Sequence, residues 1–232
     1  MDSRDLSGGW PLPEASGLRD ELLAAYGDPA RGYHDTRHLS EVLERLDELE
    51  AAGVAYERRP VRLAAWFHDA VYDGLAGAEE RSARWAEQAL AGFLDEPEVV
   101  EVARLVRLTE QHRPDDGDVN GCALSDADLA VLGSSPDRYH DYVDGVRREY
   151  SDVPDADFRK GRAAVLRALV EPEHLFRTGH AREHWEPAAR RNVAAELAEL
   201  EGQRTPRSSS SVPAAASSRP RTPRGTGRSC GP

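Results

Sequence analysis

Cysteine is scarce in this sequence, which contains only Cys122 and Cys230 among its 232 residues. Two cysteines, one of them in the C-terminal segment, predict neither a disulfide framework nor a zinc site built from cysteine ligands. Disulfide-rich folds belong mainly to oxidising compartments, so this composition favours a protein of a reducing compartment.

Long apolar runs and a targeting signal are also missing. The first residues, MDSRDLSGGWPLPEAS, have neither a basic start nor an apolar stretch, so we expect no signal peptide. The longest apolar run, near LAAWF, is far too short to span a bilayer. We therefore expect a cytoplasmic protein without membrane association.

Basic residues are outnumbered by acidic ones, and the chain carries a net charge of −12. Segment 203–232 is rich in Ser, Pro and Arg, with six arginines and no acid, and its composition predicts a disordered tail. The rest of the chain then has a net charge of about −18, which disfavours nucleic acid as a partner. A small anionic substrate remains compatible, because a bound divalent cation reverses the local field.

Alternating runs of β-branched residues are absent, and there is no isoleucine at all. Apolar residues recur instead at helical spacing, which predicts helices throughout. The predicted helices cover 36–52, the segment VRLAAWFHDAVYD after Pro60, 78–94, 97–112, 124–133, 136–150, 156–170 and 187–200. We predict an all-α fold: a flexible N-terminus at 1–13, a single-domain helical bundle at 14–202, and the tail at 203–232.

Candidate metal ligands occur in three separated segments: YHDTRH ending at His38, the pair His68 and Asp69, and SDADL containing Asp128. The His-Asp pair is predicted to lie inside the apolar helix, where an unpaired carboxylate is costly. A divalent cation would partner both side chains, since neutral imidazole and carboxylate are common ligands. His38 and Asp128 are the further candidates from other helices, and Asp126 is an alternative to Asp128.

The order His, His-Asp, Asp across about 90 residues resembles the HD superfamily of metal-dependent phosphohydrolases. YHDTRH is also similar to the YHNxxH segment of cyclic nucleotide phosphodiesterases, with Asp35 in place of the Asn. The blocks AAWFHDAVYDG, EERSA, DADLAVLG, VRREYSDV and ARRNVAAEL resemble bacterial HD proteins described as predicted metal-dependent phosphohydrolases. The resemblance covers about residues 18–201 and implies a helical bundle of the HD-domain type.

The resemblance implies a ligand set of His38, His68, Asp69 and Asp128 for one or two divalent ions, drawn from Mn, Mg, Fe, Co, Ni or Zn. It implies hydrolysis of a phosphoester or phosphoanhydride of a nucleotide-like small molecule by metal-activated water. His34 would match the histidine that protonates the leaving oxygen, and Asp69 would bridge two ions.

Four further residues are predicted to assist the reaction. Glu79 is an alternative acid or base, or else an acid favoured by the start of its helix. His112 would contact a second metal or a phosphate, because some HD proteins place additional histidines there. Most arginines of this region are expected to form a solvated helical face, and Arg147 and Arg162 are the candidates for an inward arginine that binds a phosphate through two hydrogen bonds.

Other functions remain open on the sequence alone. A catalytically weak HD domain could bind a nucleotide as a sensor, and a di-iron oxygenase would need more histidines around the metals. His180 and His184 would share a helix face, but no HExxH pattern accompanies them. The oligomeric state is not determined by the sequence.

Overall fold

A computed structural model of the protein describes residues 6–202. Within that range the chain forms ten α-helices and no β-strand, which confirms the all-α prediction. The helices are α1 Ser16–Tyr26, α2 Thr36–Ala51, α3 Arg58–Phe67, α4 Ala78–Leu90, α5 Glu96–Leu108, α6 Val119–Leu129, α7 Pro136–Glu149, α8 Asp155–Val170, α9 Gly179–His184 and α10 Glu186–Leu200. The predicted tail at 203–232 lies outside the described residues.

Helix α3 is at the centre of the bundle. Its residues from Pro60 to Phe67 are all buried, and it packs against α2, α4, α5 and α6. The side chains of Leu63 and Trp66 are fully buried, and each such burial contributes on the order of 2 kcal/mol of hydrophobic stabilisation. This packing fixes the end of α3 against the two helices that carry the other candidate ligands, α2 and α6.

The prediction that His68 and Asp69 lie inside a helix is wrong. Helix α3 ends at Phe67, with His68 as its C-cap, and Asp69 lies in the turn that follows. The backbone groups of this turn bond to other parts of the chain: Asp69 N–H donates to the Tyr26 hydroxyl, and Arg31 donates to the carbonyls of Asp69 and Ala70. These partners replace the helical hydrogen bonds and allow the chain to leave the helix.

The predicted flexible N-terminus extends too far. The side chains of Trp10 and Leu12 are buried in the core, and the Trp10 ring packs edge-on against Trp66 at 5.1 Å. A single tryptophan in a polar segment shows no periodic pattern, so this contact is not visible in the sequence. Helices α1 and α9 were not predicted either.

Aspartate caps set the starts of α2, α5 and α6. Asp35 caps α2 by accepting hydrogen bonds from the backbone N–H groups of Arg37 and His38. Asp118 caps α6 by accepting from Gly121 N–H, so this helix begins at Val119 and not near residue 124 as predicted. Within residues 6–202, no helix combines the length and apolar character needed to cross a bilayer.

Candidate metal centre

Four side chains from three parts of the chain meet where α2, α6 and the end of α3 come together. His38 lies in the first turn of α2, and its side chain is 2% exposed. His68 and Asp69 follow α3, and Asp128 lies in the last turn of α6. Because α2 packs on both α3 and α6, residues 90 positions apart become neighbours.

The ligand atoms are close together. His38 Nε2 lies 3.1 Å from His68 Nε2, 3.3 Å from Asp69 Oδ2 and 3.2 Å from Asp128 Oδ1. His68 Nε2 lies 3.0 Å from Asp69 Oδ2 and 3.6 Å from Asp128 Oδ1. Among the described residues, His38, His68 and Asp69 form a compact group that could hold a metal ion, and Asp128 approaches it through both imidazoles.

The separations among His38, His68 and Asp69, 3.0 to 3.3 Å, are those expected of atoms that share one cation. Ligands about 2.1 Å from an ion lie about 3.0 to 3.4 Å from each other in octahedral or tetrahedral geometry. The donor set of two imidazole nitrogens with carboxylate oxygens suits Mn, Fe, Co, Ni or Zn. The residues therefore fit a divalent metal ion in both spacing and chemistry.

The orientation of His68 is fixed by its second ring nitrogen. Nδ1 lies 2.7 Å from the carbonyl oxygen of Ala65, to which it donates a hydrogen bond. The proton on Nδ1 leaves the lone pair of Nε2 facing His38 and Asp69, as a metal-binding imidazole requires. The Tyr26 hydroxyl lies 3.5 Å from the same Nδ1 and also accepts from Asp69 N–H, so it supports both residues of the pair.

The cluster favours positive charge at its centre. Burial alone would lower the pKa of His38, yet its hydrogen bonds with Asp128 and Asp69 raise that pKa to about 10. Burial opposes ionisation of Asp69, but the neighbouring histidines hold its pKa well below the usual value. Asp128 is also kept ionised, because His68 and His38 outweigh the effect of burial and lower its pKa.

The two aspartates of α6 have different partners. Asp126 is fully buried and points away from the cluster, accepting hydrogen bonds from the backbone N–H groups of Arg177 and Thr178. Asp128 contacts His38 and His68. Two residues along a helix are about 200° apart, so only one can face the cluster, and that residue is Asp128.

Glu149, the last residue of α7, holds the loop that carries His34. Its Oε1 accepts hydrogen bonds from the backbone N–H groups of Gly32, Tyr33 and His34 at 2.7 to 2.9 Å. Its Oε2 lies 2.8 Å from His34 Nδ1. Burial would raise the pKa of Glu149, but these hydrogen bonds lower it to about 2. Sequence reasoning missed this role, since no local pattern reveals a partner 115 residues away.

The loop approaches α7 through two glycines. A Cβ atom on Gly32 would lie 2.3 Å from the carbonyl oxygen of Gly145, and a Cβ on Gly145 would lie 2.8 Å from that of Gly32. Any side chain at either position would push the loop away from the helix. The two glycines therefore bring Glu149 within reach of His34.

Arg31 is another residue that sequence reasoning missed. Its guanidinium donates to the carbonyl oxygens of His34 and Asp69 at 2.8 Å and of Ala70 at 3.0 Å. It thereby connects the loop before α2 to the turn after α3. One side chain thus ties together the two segments that carry His34 and the His68-Asp69 pair.

Replacing Arg31 with lysine should weaken Mn²⁺ binding by about 10-fold to 100-fold, a typical effect of losing a group that orients ligands. An ammonium group cannot reach three carbonyl oxygens in the planar arrangement that a guanidinium matches. Mn²⁺ affinity, measured by competition with a chelator, tests this. Arg37→Lys is the control, because Arg37 forms exposed ion pairs with Glu41 and Asp141. Equal affinities in the two variants would contradict the role of Arg31.

His112 lies beside the cluster, in the turn that follows α5. Its Nε2 is 3.7 Å from Asp128 Oδ2, and its φ of 50° is in the left-handed region that non-glycine residues rarely adopt. Such a backbone costs on the order of 1 kcal/mol and is found most often at functional sites. Burial lowers the pKa of His112, which favours the neutral ring that can bind a metal or donate a hydrogen bond.

A cleft of about 770 Å³ opens over the cluster. His34, Asp69, Glu79, His112, Asp128 and Arg162 are the predicted site residues that line it. The prediction for Arg147 is wrong, because this side chain does not line the cleft. Its guanidinium donates to the carbonyls of Tyr150 and Val153 and lies over the Phe158 ring, and so it holds the turn between α7 and α8.

The pair His180 and His184 is remote from this cluster. His180 Nε2 bonds to Glu48 Oε1 at 2.8 Å, and the two histidine rings stack at 4.3 Å. His184 Nδ1 lies 3.0 Å from the His180 carbonyl. His180 therefore ties α9 to α2, whereas His184, among the described residues, bonds only within its own helix.

Comparison of the chain with models of known protein families, with curated proteins and with solved structures finds no match.

Proposed function

We propose that this protein is a metal-dependent phosphohydrolase of the HD type that acts on a small, nucleotide-like phosphoester or phosphoanhydride. The observation that carries the proposal is the meeting of His38, His68, Asp69 and Asp128 beside a cleft that the two aspartates line. Two buried imidazoles beside two carboxylates are a costly arrangement in a folding core. A site for a cation accounts for their presence.

The four residues would hold one divalent ion, and His112 stands next to Asp128 as a further ligand for a second. When bound, such an ion neutralises charge on phosphoryl oxygens and lowers the pKa of water towards neutrality. Asp69 and Asp128 each approach both His38 and His68 and both line the cleft, so these two carboxylates would join the buried imidazoles to the open side of the site.

His34 is the residue we assign to protonate the leaving oxygen. Its Nδ1 is engaged by Glu149, which leaves Nε2 available on a residue that lines the cleft. The Tyr72 ring stacks on the imidazole at 4.0 Å and limits its rotation. A histidine held in this way can deliver a proton from Nε2 to a departing alkoxide.

Tyr33 offers a hydrogen bond to the substrate. This residue lines the cleft and is 5% exposed, and among the described residues its hydroxyl has no hydrogen-bond partner. A buried hydroxyl without a partner costs free energy that a bound phosphoryl oxygen would recover. Glu79 also lines the cleft and is the alternative group for proton transfer.

Metal analysis of the purified protein, followed by a nucleotide panel with Mn²⁺, Co²⁺, Ni²⁺ and Mg²⁺, tests the proposal. We expect at least one divalent metal per chain and metal-dependent release of phosphate or of a nucleoside product. Nucleotides that bind tightly but stay intact with every metal would contradict hydrolysis and favour a nucleotide-binding sensor. Absence of bound metal together with metal-independent nucleotide binding would contradict the metal site and, with it, the hydrolase proposal.

A further inference from the structure

The cleft continues from the metal-ligand cluster along one face of α8. Phe158, Gly161, Val165 and Leu169 line it at the three- and four-residue spacing of a single helix face. The side chain of Val165 is 53% exposed, so covering it with an apolar group would contribute favourable free energy. We call this face of α8 the apolar trough.

Aromatic side chains connect the trough to the cluster. Tyr72 stacks on His34, and the Tyr150 ring, which also lines the cleft, lies 6.1 Å from the Phe158 ring. Aromatic rings therefore form part of the wall between His34 and the trough. One molecule lying in the cleft would touch both His34 and the trough.

Basic groups are few in the cleft. Its charged lining residues are five acids, Asp69, Glu79, Glu110, Asp128 and Asp157, and two arginines, Arg113 and Arg162. Arg162 is already paired with the buried Glu196, with Nε 2.8 Å from Oε1. A second or third phosphate group would meet acids where it needs cations, so the cleft disfavours a polyphosphate chain.

Gly161 is the least expected residue of the trough. It lies in the middle of α8 with an ordinary negative φ, and a Cβ atom there would meet nothing within 4 Å. A glycine inside a helix costs about 1 kcal/mol relative to alanine. Neither backbone conformation nor close packing requires this glycine. What its missing side chain does provide is space in the cleft.

We propose that the substrate is a molecule with a single phosphoryl group and an apolar or aromatic substituent that lies in the trough over Gly161 and Val165. The inference rests on the proposed function, which places the phosphoryl group at the cluster, and it narrows the substrate class. A phosphoester of an apolar alcohol fits the one cationic centre and the apolar wall together. A nucleoside triphosphate would place its additional negative charges beside the acidic residues of the cleft and its polar groups against the apolar trough.

Equilibrium binding of alkylphosphonates to the Mn²⁺-loaded full chain tests this, because phosphonates present the charged group without being hydrolysed. We expect affinity to rise by about threefold for each of the first methylenes from methylphosphonate to hexylphosphonate. Val165→Asp should remove about tenfold of that gain for hexylphosphonate and leave methylphosphonate within about twofold. Gly161→Leu, which fills the trough, should have the same selective effect.

Matched controls lie outside the cleft. Val100 of α5 is 59% exposed, and Gly17 of α1 is a helical glycine where an added Cβ atom would meet nothing within 4 Å. Val100→Asp and Gly17→Leu should therefore leave the affinities for methylphosphonate and hexylphosphonate unchanged. If methylphosphonate binds but a longer alkyl chain does not raise the affinity, the trough does not hold the substrate. The same conclusion follows if Val165→Asp and Gly161→Leu bind hexylphosphonate as tightly as their controls do. If neither phosphonate binds with Mn²⁺, the phosphohydrolase proposal itself is contradicted, and the inference falls with it.

Discussion

Asp69→Asn should strip the protein of its metal and lower kcat/KM by about a thousandfold or more. The substitution preserves the shape of a side chain whose Oδ2 lies 3.0 Å from His68 Nε2 and 3.3 Å from His38 Nε2. What it removes is the negative charge, and a neutral amide oxygen is a much weaker partner for a divalent cation in a buried site. Elemental analysis of the purified variant and steady-state kinetics on the best substrate measure the two effects.

Asp126→Asn is the matched control, because Asp126 is also a buried aspartate but bonds to the backbone at Arg177 and Thr178. It should reduce the free energy of unfolding by about 1 to 3 kcal/mol while the variant keeps its metal. Loss of metal from both variants would point to general unfolding. Metal content and turnover that survive in Asp69→Asn would contradict the metal centre.

Glu149→Gln should lower kcat by about 100-fold for substrates with poor leaving groups while metal content stays unchanged. The carboxylate accepts three backbone hydrogen bonds and faces His34 Nδ1 at 2.8 Å. With glutamine, the oxygen can still accept from the loop, but an NH₂ group then faces Nδ1. A donor at that position takes away the acceptor for Nδ1–H, so the doubly protonated ring that could give a proton to the leaving oxygen loses its partner.

The leaving group separates this role from a structural one. A p-nitrophenolate ion departs without protonation, so Glu149→Gln should slow a p-nitrophenyl phosphoester by less than about tenfold. His34→Gln should behave in the same way, and the double variant should be no slower than either single variant, because both changes remove one proton transfer. Equal losses for both kinds of leaving group would mean that Glu149 only holds the loop in place.

The candidate metal centre shows how much of a site local sequence patterns can predict. An imidazole and a carboxylate within an apolar segment identified His68 and Asp69 as costly residues in need of a partner, and the structure brings His38 and Asp128 to them. The choice between Asp126 and Asp128 depended on the direction of α6 relative to α2, which no window of sequence contains. The helical position of the pair was wrong because Tyr26 and Arg31, both distant in sequence, take the hydrogen bonds that would have continued α3.

The supporting residues were harder to foresee. Glu149 and Arg31 are charged residues on helix or loop surfaces, where most such side chains are solvated, and only their partners distinguish them. Arg147 and Arg162 looked equivalent as phosphate ligands, yet one holds a turn and the other lines the cleft in a pair with Glu196.

The sequence by itself determined that the described chain is helical, because apolar spacing and caps such as Asp35 act within a few residues of each other. It also contained the residue types that a cation requires. Only the tertiary structure decided which oxygen faces which nitrogen, that Glu149 reaches His34, and that Gly161 opens the trough. These depend on how helices lie against one another, and that arrangement comes from contacts summed over the whole core.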